Sequence, residues 1–189
     1  MRIIAGSKRG MKLLSPKAQV SRPITDRVKE SLFSVLYKYD LIDGKMVADL
    51  FCGVGSLGLE ALSRGAEFVT FVEQDARVAA VLKKNIEKAG FVKESKIIRA
   101  DAFKIGAPVG FDRSKYSLVF VDPPYSATSD AKENSPLSRL LNVLSEQLAP
   151  GGFVVVRTSR RTELSERYGP FQTVERRRWG TMAVTIFER

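Results

Sequence analysis

The residues in this chain best suited to chemistry are Asp122-Pro123-Pro124-Tyr125, which directly follow the apolar run Leu118-Val119-Phe120-Val121. An acid, two prolines and an aromatic ring at the end of a buried strand suit an amino group carried on a flat heteroaromatic ring. Such a nitrogen is a weak nucleophile because its lone pair is delocalised into the ring. Hydrogen-bond acceptors on both N–H groups favour a geometry in which that pair is freed towards an electrophile. The Asp122 carboxylate is one acceptor, and the Pro123 carbonyl, held rigid by two prolines, is the second. Tyr125 offers a face on which a base can stack, worth about 1–3 kcal/mol. The same four residues could form no more than a tight turn after a strand, but a second motif about seventy residues upstream argues for one active site.

That second motif is Asp49-Leu50-Phe51-Cys52-Gly53-Val54-Gly55-Ser56-Leu57-Gly58. Gly53-x-Gly55-x-x-Gly58 follows a predicted strand and opens a predicted helix, the context that a nucleotide-binding loop requires. Glu73, twenty residues past Gly53 at the end of the next strand, is placed to accept from ribose hydroxyls. In a pyrophosphate site the strand before the first glycine is apolar, and the helix N-terminus faces a dianion. Here Asp49 stands at the strand's end. A carboxylate there repels phosphate and suits the ammonium group of a cationic amino-acid cofactor such as S-adenosylmethionine. Asp101, in Ala100-Asp101-Ala102-Phe103 after the third strand, is placed to accept from an adenine amino group, with Phe103 near the ring. Phe51 and Ala102, neighbours of these acids in their loops, are counted among the cofactor-contacting residues. Asp49 alone could cap a turn and Asp101 alone a helix, but three acids ending three successive strands at one edge point to a ligand.

The chain has 189 residues and no histidine. That removes His-based triads, the H-E-x-x-H zinc site and any His general base, so the chemistry must work without one. Displacement at a sulfonium-activated methyl group is such a reaction. Cys52, the single cysteine, excludes an internal disulfide and reads as a small buried filler, not a nucleophile. No apolar run approaches the roughly 20 residues needed to span a bilayer. The first ten residues carry charge without an apolar stretch long enough for a signal peptide, so a cytoplasmic location is expected. The net charge of +10 favours a polyanionic partner. The charge clusters in residues 1–30 (Arg2, Lys8, Arg9, Lys12, Lys17, Arg22, Arg27 and Lys29 against Asp26 and Glu30). A second cluster comprises Arg157, Arg160, Arg161, Arg167, Arg176, Arg177 and Arg178.

The elements that must position these residues alternate along the chain. Residues 1–21 read as a basic arm or hairpin turning at Gly6 to Gly10. Thr25 offers an N-cap, and Val28, Leu32, Val35, Leu36 and Tyr39 recur at helical spacing, so residues 22–43 form a leading helical segment. From residue 44 to 189 strands are predicted over 46–51, 68–72, 96–99, 117–121 and 153–157. Helices are predicted over 57–64, 76–89, 135–148 and, shorter, 162–168, and a last hairpin over 171–178 and 182–187. Residues 126–136 read as a flexible segment able to close as a lid. The alternation predicts one α/β domain spanning residues 1–189, with a doubly wound, mostly parallel seven-stranded sheet carrying one antiparallel strand. A monomer is expected.

With these motifs in place, the sequence resembles the amino-group nucleic-acid methyltransferases that depend on S-adenosylmethionine. More specifically, it is similar to the bacterial family that methylates the N2 amine of a guanine in 16S ribosomal RNA. The likeness runs nearly end to end, through Arg2-Ile3-Ile4-Ala5-Gly6 and Arg9-Gly10, Arg22 to Phe33, Asp49 to Gly58, Val72-Glu73 and Asp122 to Tyr125. The resemblance implies a Rossmann-like fold, with Gly53, Gly55, Glu73 and Asp101 around the cofactor. It places Asp122, Pro123, Pro124 and Tyr125 around a flipped guanine of 16S rRNA in the small ribosomal subunit, and Arg9, Arg22, Thr25 and Arg27 beside the site. Trp179-Gly180-Thr181 stands where the family usually has Tyr-Gly-Asp; Trp179 can still stack, while position 181 loses an acid. The amine motif is shared with adenine-N6 and glutamine-N5 methyltransferases, so it selects an amine without naming the base. Two alternatives stay open on the sequence: a DNA adenine-N6 methyltransferase, and a non-catalytic RNA-binding assembly factor.

Overall fold

The computed structural model describes residues 1–16, 24–109, 114–128 and 130–189. Five strands run parallel: β1 (Met46–Leu50), β2 (Phe68–Val72), β3 (Ser95–Ile98), β4 (Tyr116–Val121) and β5 (Leu148–Ser159). Helices cover both faces, which is why β1, β2 and β4 are nearly unbroken apolar runs. Alternate residues serve opposite layers. Val47, Val69, Phe71, Leu118, Phe120 and Val155 pack in one core with α1 (Asp26–Lys38), α2 (Gly58–Ser63) and α3 (Ala76–Ala89). Ala48, Leu50, Val119, Val121, Val154 and Val156 pack in the other with α4 (Ala102–Ile105) and α5 (Pro136–Gln147). Side-chain caps set where several helices begin. Thr25, Asp75 and Ser135 each accept from amides in the first turn of α1, α3 and α5. Among the described residues no helix is long and apolar enough to cross a membrane.

Among the described residues the sheet has eight strands, one more than expected, in the order β3-β2-β1-β4-β5-β8-β7-β6. β7 (Phe171–Trp179) and β8 (Met182–Glu188) form the expected hairpin, with β8 antiparallel to both neighbours. The additional strand is β6 (Arg167–Tyr168), also antiparallel, lying inside the segment predicted as a short helix over 162–168. Gly169-Pro170 reverses the chain immediately, so Tyr168 pairs with Phe171. Burial of Tyr168 edge-on against Phe187, at 5.7 Å between ring centroids, outweighs a helical propensity too short to propagate. β5 begins five residues before its predicted start, because Leu148 pairs with Tyr116 ahead of a register break. Within the described part of segment 126–136, Thr128 is buried and the Ala131 carbonyl accepts from the Tyr168 hydroxyl at 2.6 Å.

The basic arm is a hairpin closed by an Arg2–Lys12 bridge, and it is docked on α2. Glu60 on α2 is fully buried. Its carboxylate accepts from the Ile4 and Ala5 amides at 2.8 and 3.0 Å, from Arg64 Nε at 2.8 Å, and pairs with Lys29 Nζ of α1 at 3.2 Å. Lys29, one of the basic cluster in residues 1–30, is 1% exposed and also donates to the Arg2 carbonyl at 2.6 Å. Burial lowers its pKa, and Glu60 opposes that shift. Removing one partner of such a pair strands a buried charge, at a cost of about 3–5 kcal/mol. Glu60→Ala is therefore expected to lower unfolding free energy in urea by about that much, and Lys29→Met in the same background to cost markedly less than in the wild type.

Candidate active site

Strand order places the two motifs side by side. β1 lies between β2 and β4, so the crossover from β3 to β4 passes back over β1, and a crevice opens at the C-terminal ends of β1 and β4. Asp49 is in register with Phe120 and Leu50 with Val121, and the Asp122 amide donates to the Leu50 carbonyl at 3.4 Å. A cavity of about 660 Å³ fills the crevice, lined by Asp49, Gly53, Glu73, Asp122, Tyr125 and Arg157 among others. Its size suits a nucleoside-sized ligand.

On the cofactor side, Asp49 is 1% exposed and its Oδ2 accepts from the Gly58 amide at 2.8 Å. That bond needs a glycine at 58, since a Cβ there would stand 2.3 Å from the Phe71 ring. Burial pushes the Asp49 carboxyl well up, the Gly58 amide opposes it, and Asp122 and Glu73 add to it. Glu73 accepts from the Gly53 amide at 3.0 Å and the Asp75 amide at 2.9 Å, so it braces the glycine loop as well as lining the cavity. Gly53 has a positive φ with open space where a Cβ would project, leaving room for a ligand at the backbone. Gly55 does not line the cavity: it packs beneath the loop against Leu82 and Leu59. Phe51 adopts a left-handed φ of 56°, uncommon for a bulky residue, and its ring packs tilted against Phe103 at 4.7 Å between centroids. Ala102 lines the cavity, whereas Asp101 is the N-cap of α4, accepting from the Phe103 amide at 3.0 Å, and lies outside the lining. Cys52 is buried and its thiol is pushed well up by that burial, a poor state for a nucleophile.

On the substrate side, Pro123 is buried, Pro124 exposed and Tyr125 half-buried, all three lining the cavity. The Pro124 carbonyl is taken by the Ala127 amide at 2.9 Å, and the Tyr125 hydroxyl is buried without a partner. Asp122 Oδ1 is paired with Arg157 Nε at 2.5 Å. Arg157 belongs, on the sequence, to the second basic cluster, yet its side chain is only 13% exposed and lines the cavity. The missing signal was register: Val121 pairs with Val156, which brings the next residue of each strand together. Met1 and Ile24 also line the cavity, and nothing in their residue types marks them.

The remaining expected residues stand apart from that lining. Thr25 caps α1, Arg9 and Arg27 are exposed, and Trp179 packs half-buried against the α1–α3 core. Arg22 lies outside the described residues. A second cleft of about 620 Å³ shares Tyr125 with the first and is otherwise lined by Ser159, Arg160, Arg161, Gly180 and Thr181. Both arginines are exposed.

The YlbH protein of Bacillus subtilis, named provisionally as an rRNA methyltransferase, is 34% identical over the whole of this chain and 99% of its own length. Ribosomal RNA small subunit methyltransferase D of Escherichia coli is 41% identical over 127 residues, which are 66% of this chain and 60% of that protein. The solved structure of yhhF from Escherichia coli, described provisionally as a methyltransferase, superposes with a TM-score of 0.82 at 31% identity, covering 100% of this chain and 97% of that one. The model of one family, described as conserved hypothetical protein 95, matches residues 1–188, and the chain belongs to that family.

Proposed function

We propose that this protein transfers a methyl group from S-adenosylmethionine to the exocyclic N2 amine of a guanine in 16S rRNA, acting as a monomeric, single-domain enzyme on the small ribosomal subunit in the cytoplasm. The observation that carries this reading is the meeting of a buried, cation-seeking Asp49 and the Asp122-Pro123-Pro124-Tyr125 turn in one cavity. The relatives' names and the basic surface support the choice of RNA. Asp49, Glu73, Gly53 and Ala102 are the residues that would hold the cofactor, which supplies a methyl group activated by a positively charged sulfur. Asp101 is assigned to its adenine end and Phe51 to a wall packed on Phe103. Asp122 and the Pro123 carbonyl accept from the two N–H groups of the amine, while Tyr125 and Pro124 flank the base.

The test offers labelled S-adenosylmethionine and three substrates: unmethylated small subunits, their deproteinised RNA, and duplex DNA. N2-methylguanosine from subunits or RNA is the expected product, whereas N6-methyladenine from DNA would overturn the RNA reading. Asp122→Asn keeps the side-chain shape and is expected to lower kcat by about 10²-fold or more while cofactor binding persists. Labelling that survives unchanged in this variant would remove Asp122 from the reaction.

Cofactor binding should release a proton. The free carboxyl of Asp49 is held well above its ordinary range by burial, and an ammonium group beside it favours the ionised form. Affinity is therefore expected to rise with pH until the free-state pKa is passed and to level off above it. Calorimetry in buffers of different ionisation enthalpy reads the released proton, and Asp49→Asn is expected to abolish that release while weakening binding.

Arg160 and Arg161 border the cleft next to Tyr125 and suit contact with phosphates flanking the target base. Replacing both with alanine is expected to reduce the slope of log affinity against log salt by about two units. Cofactor affinity should stay as in the wild type.

A further inference from the structure

The ion pair at the amine motif has features that a phosphate-binding arginine would not show. Arg157 extends from β5, one residue past the Val121–Val156 pair, so its place beside Asp122 is set by the sheet itself. Its Nε is committed to Asp122 Oδ1 at 2.5 Å, and its Nη1 is buried with no hydrogen-bond partner. A guanidinium left partly unsatisfied in a nearly closed position is costly unless its charge is needed there. The need is visible around it. Asp122 shares the cavity with Asp49 from β1, Glu73 from the end of β2, Asp75 at the start of α3, the Cys52 thiol, the Tyr125 hydroxyl and Met1 at the start of the arm. Among the charged side chains lining that space, three are acids besides Asp122 and one is a cation.

We propose that Arg157 is a positioning residue for the amine-accepting carboxylate: it keeps Asp122 ionised and holds Oδ1, so that Oδ2 is the oxygen presented to the substrate amine. The inference rests on the proposed role of Asp122 as an acceptor. A protonated Asp122 would turn one acceptor oxygen into a donor facing another N–H, and would lose its hold on the amine. Burial pushes the Asp122 carboxyl up, and the Arg157 guanidinium pulls it back. Without Arg157, a carboxyl in this setting takes up a proton at a higher pH, and the reaction loses its acceptor from the acid side.

The experiment follows the Asp122 carboxyl by carbon-13 NMR in protein with labelled aspartate, its signal identified by its loss in Asp122→Asn and separated from that of Asp49 by Asp49→Asn. In Arg157→Met the Asp122 midpoint is expected to rise by about one pH unit or more, and in Arg157→Lys to stay close to the wild type. Arg157→Gln gives the same comparison if the Met variant does not fold. A midpoint unmoved in both neutral variants overturns the proposal, whether or not the protein is active. In parallel, the acid limb of kcat against pH should move upward with the NMR midpoint, and activity should recover at alkaline pH. A lowered kcat with an unmoved acid limb would mean that Arg157 is only a structural support, and would also overturn it. If the wild type methylates no guanine while the midpoint shifts as expected, the assigned reaction fails and the electrostatic role of Arg157 stands.

Discussion

The hydrogen bond from the Gly58 amide to the Asp49 carboxylate, 2.8 Å long and closed to solvent, joins β1 to the first residue of α2. It fixes the glycine loop between them, and through the loop it fixes the helix. α2 in turn carries Glu60, whose carboxylate gathers two amides of the arm, Arg64 and the Lys29 ammonium of α1. Lys29 also approaches Ser56, which lines the cavity, so the polar network returns to the loop where it started. A buried acid that lines the ligand cavity is thus also the first support of the arm and the leading helix. One group serves both stability and binding, and the two demands pull in opposite directions. Burial that makes Asp49 eager for a cation is the same burial that makes it expensive to leave alone.

Local electrostatics at the site run against the charge of the whole. The chain carries +10, yet the cavity gathers Asp49, Glu73, Asp75 and Asp122 with Arg157 as their guanidinium counterweight. A basic exterior draws a polyanion to the surface, while an acidic interior excludes phosphate and admits cationic or neutral groups. In the proposed reaction such a division would sort the parts of a nucleic acid: backbone outside, base inside. In the second cleft the lining carries two arginines and no acid, which continues the sorting up to Tyr125.

How much of this was legible beforehand depended on the range of the interaction. α3 is observed over its predicted residues, and its ends are local: Asp75 caps its first turn and Gly90, in the left-handed region, closes it. β2 was equally clear, as a short apolar run bounded by polar residues. The meeting of the Asp49 and Asp122 loops was legible because alternation of strands and helices restricts the topology to a few choices. β6 was not, since two residues stabilised by Tyr168 packing on Phe187 leave no periodic trace. Nor was the difference between Arg157 and Arg160, alike in type and three residues apart, one paired with the half-buried Asp122 carboxylate and the other exposed. Strand register decides between them, and register is a property of the neighbour.

Tyr125 lines both clefts, and its hydroxyl is buried. A strand that places a base on one side and its backbone on the other must bend sharply around a single aromatic side chain. A stiff double helix lacks the slack to do that, whereas a loop or an unpaired bulge has it. In the proposed reaction the protein therefore needs no separate module to judge whether its target is paired. Selection for a pliable target would then be built into the wall itself, as a limit on curvature and not as a set of contacts to be read.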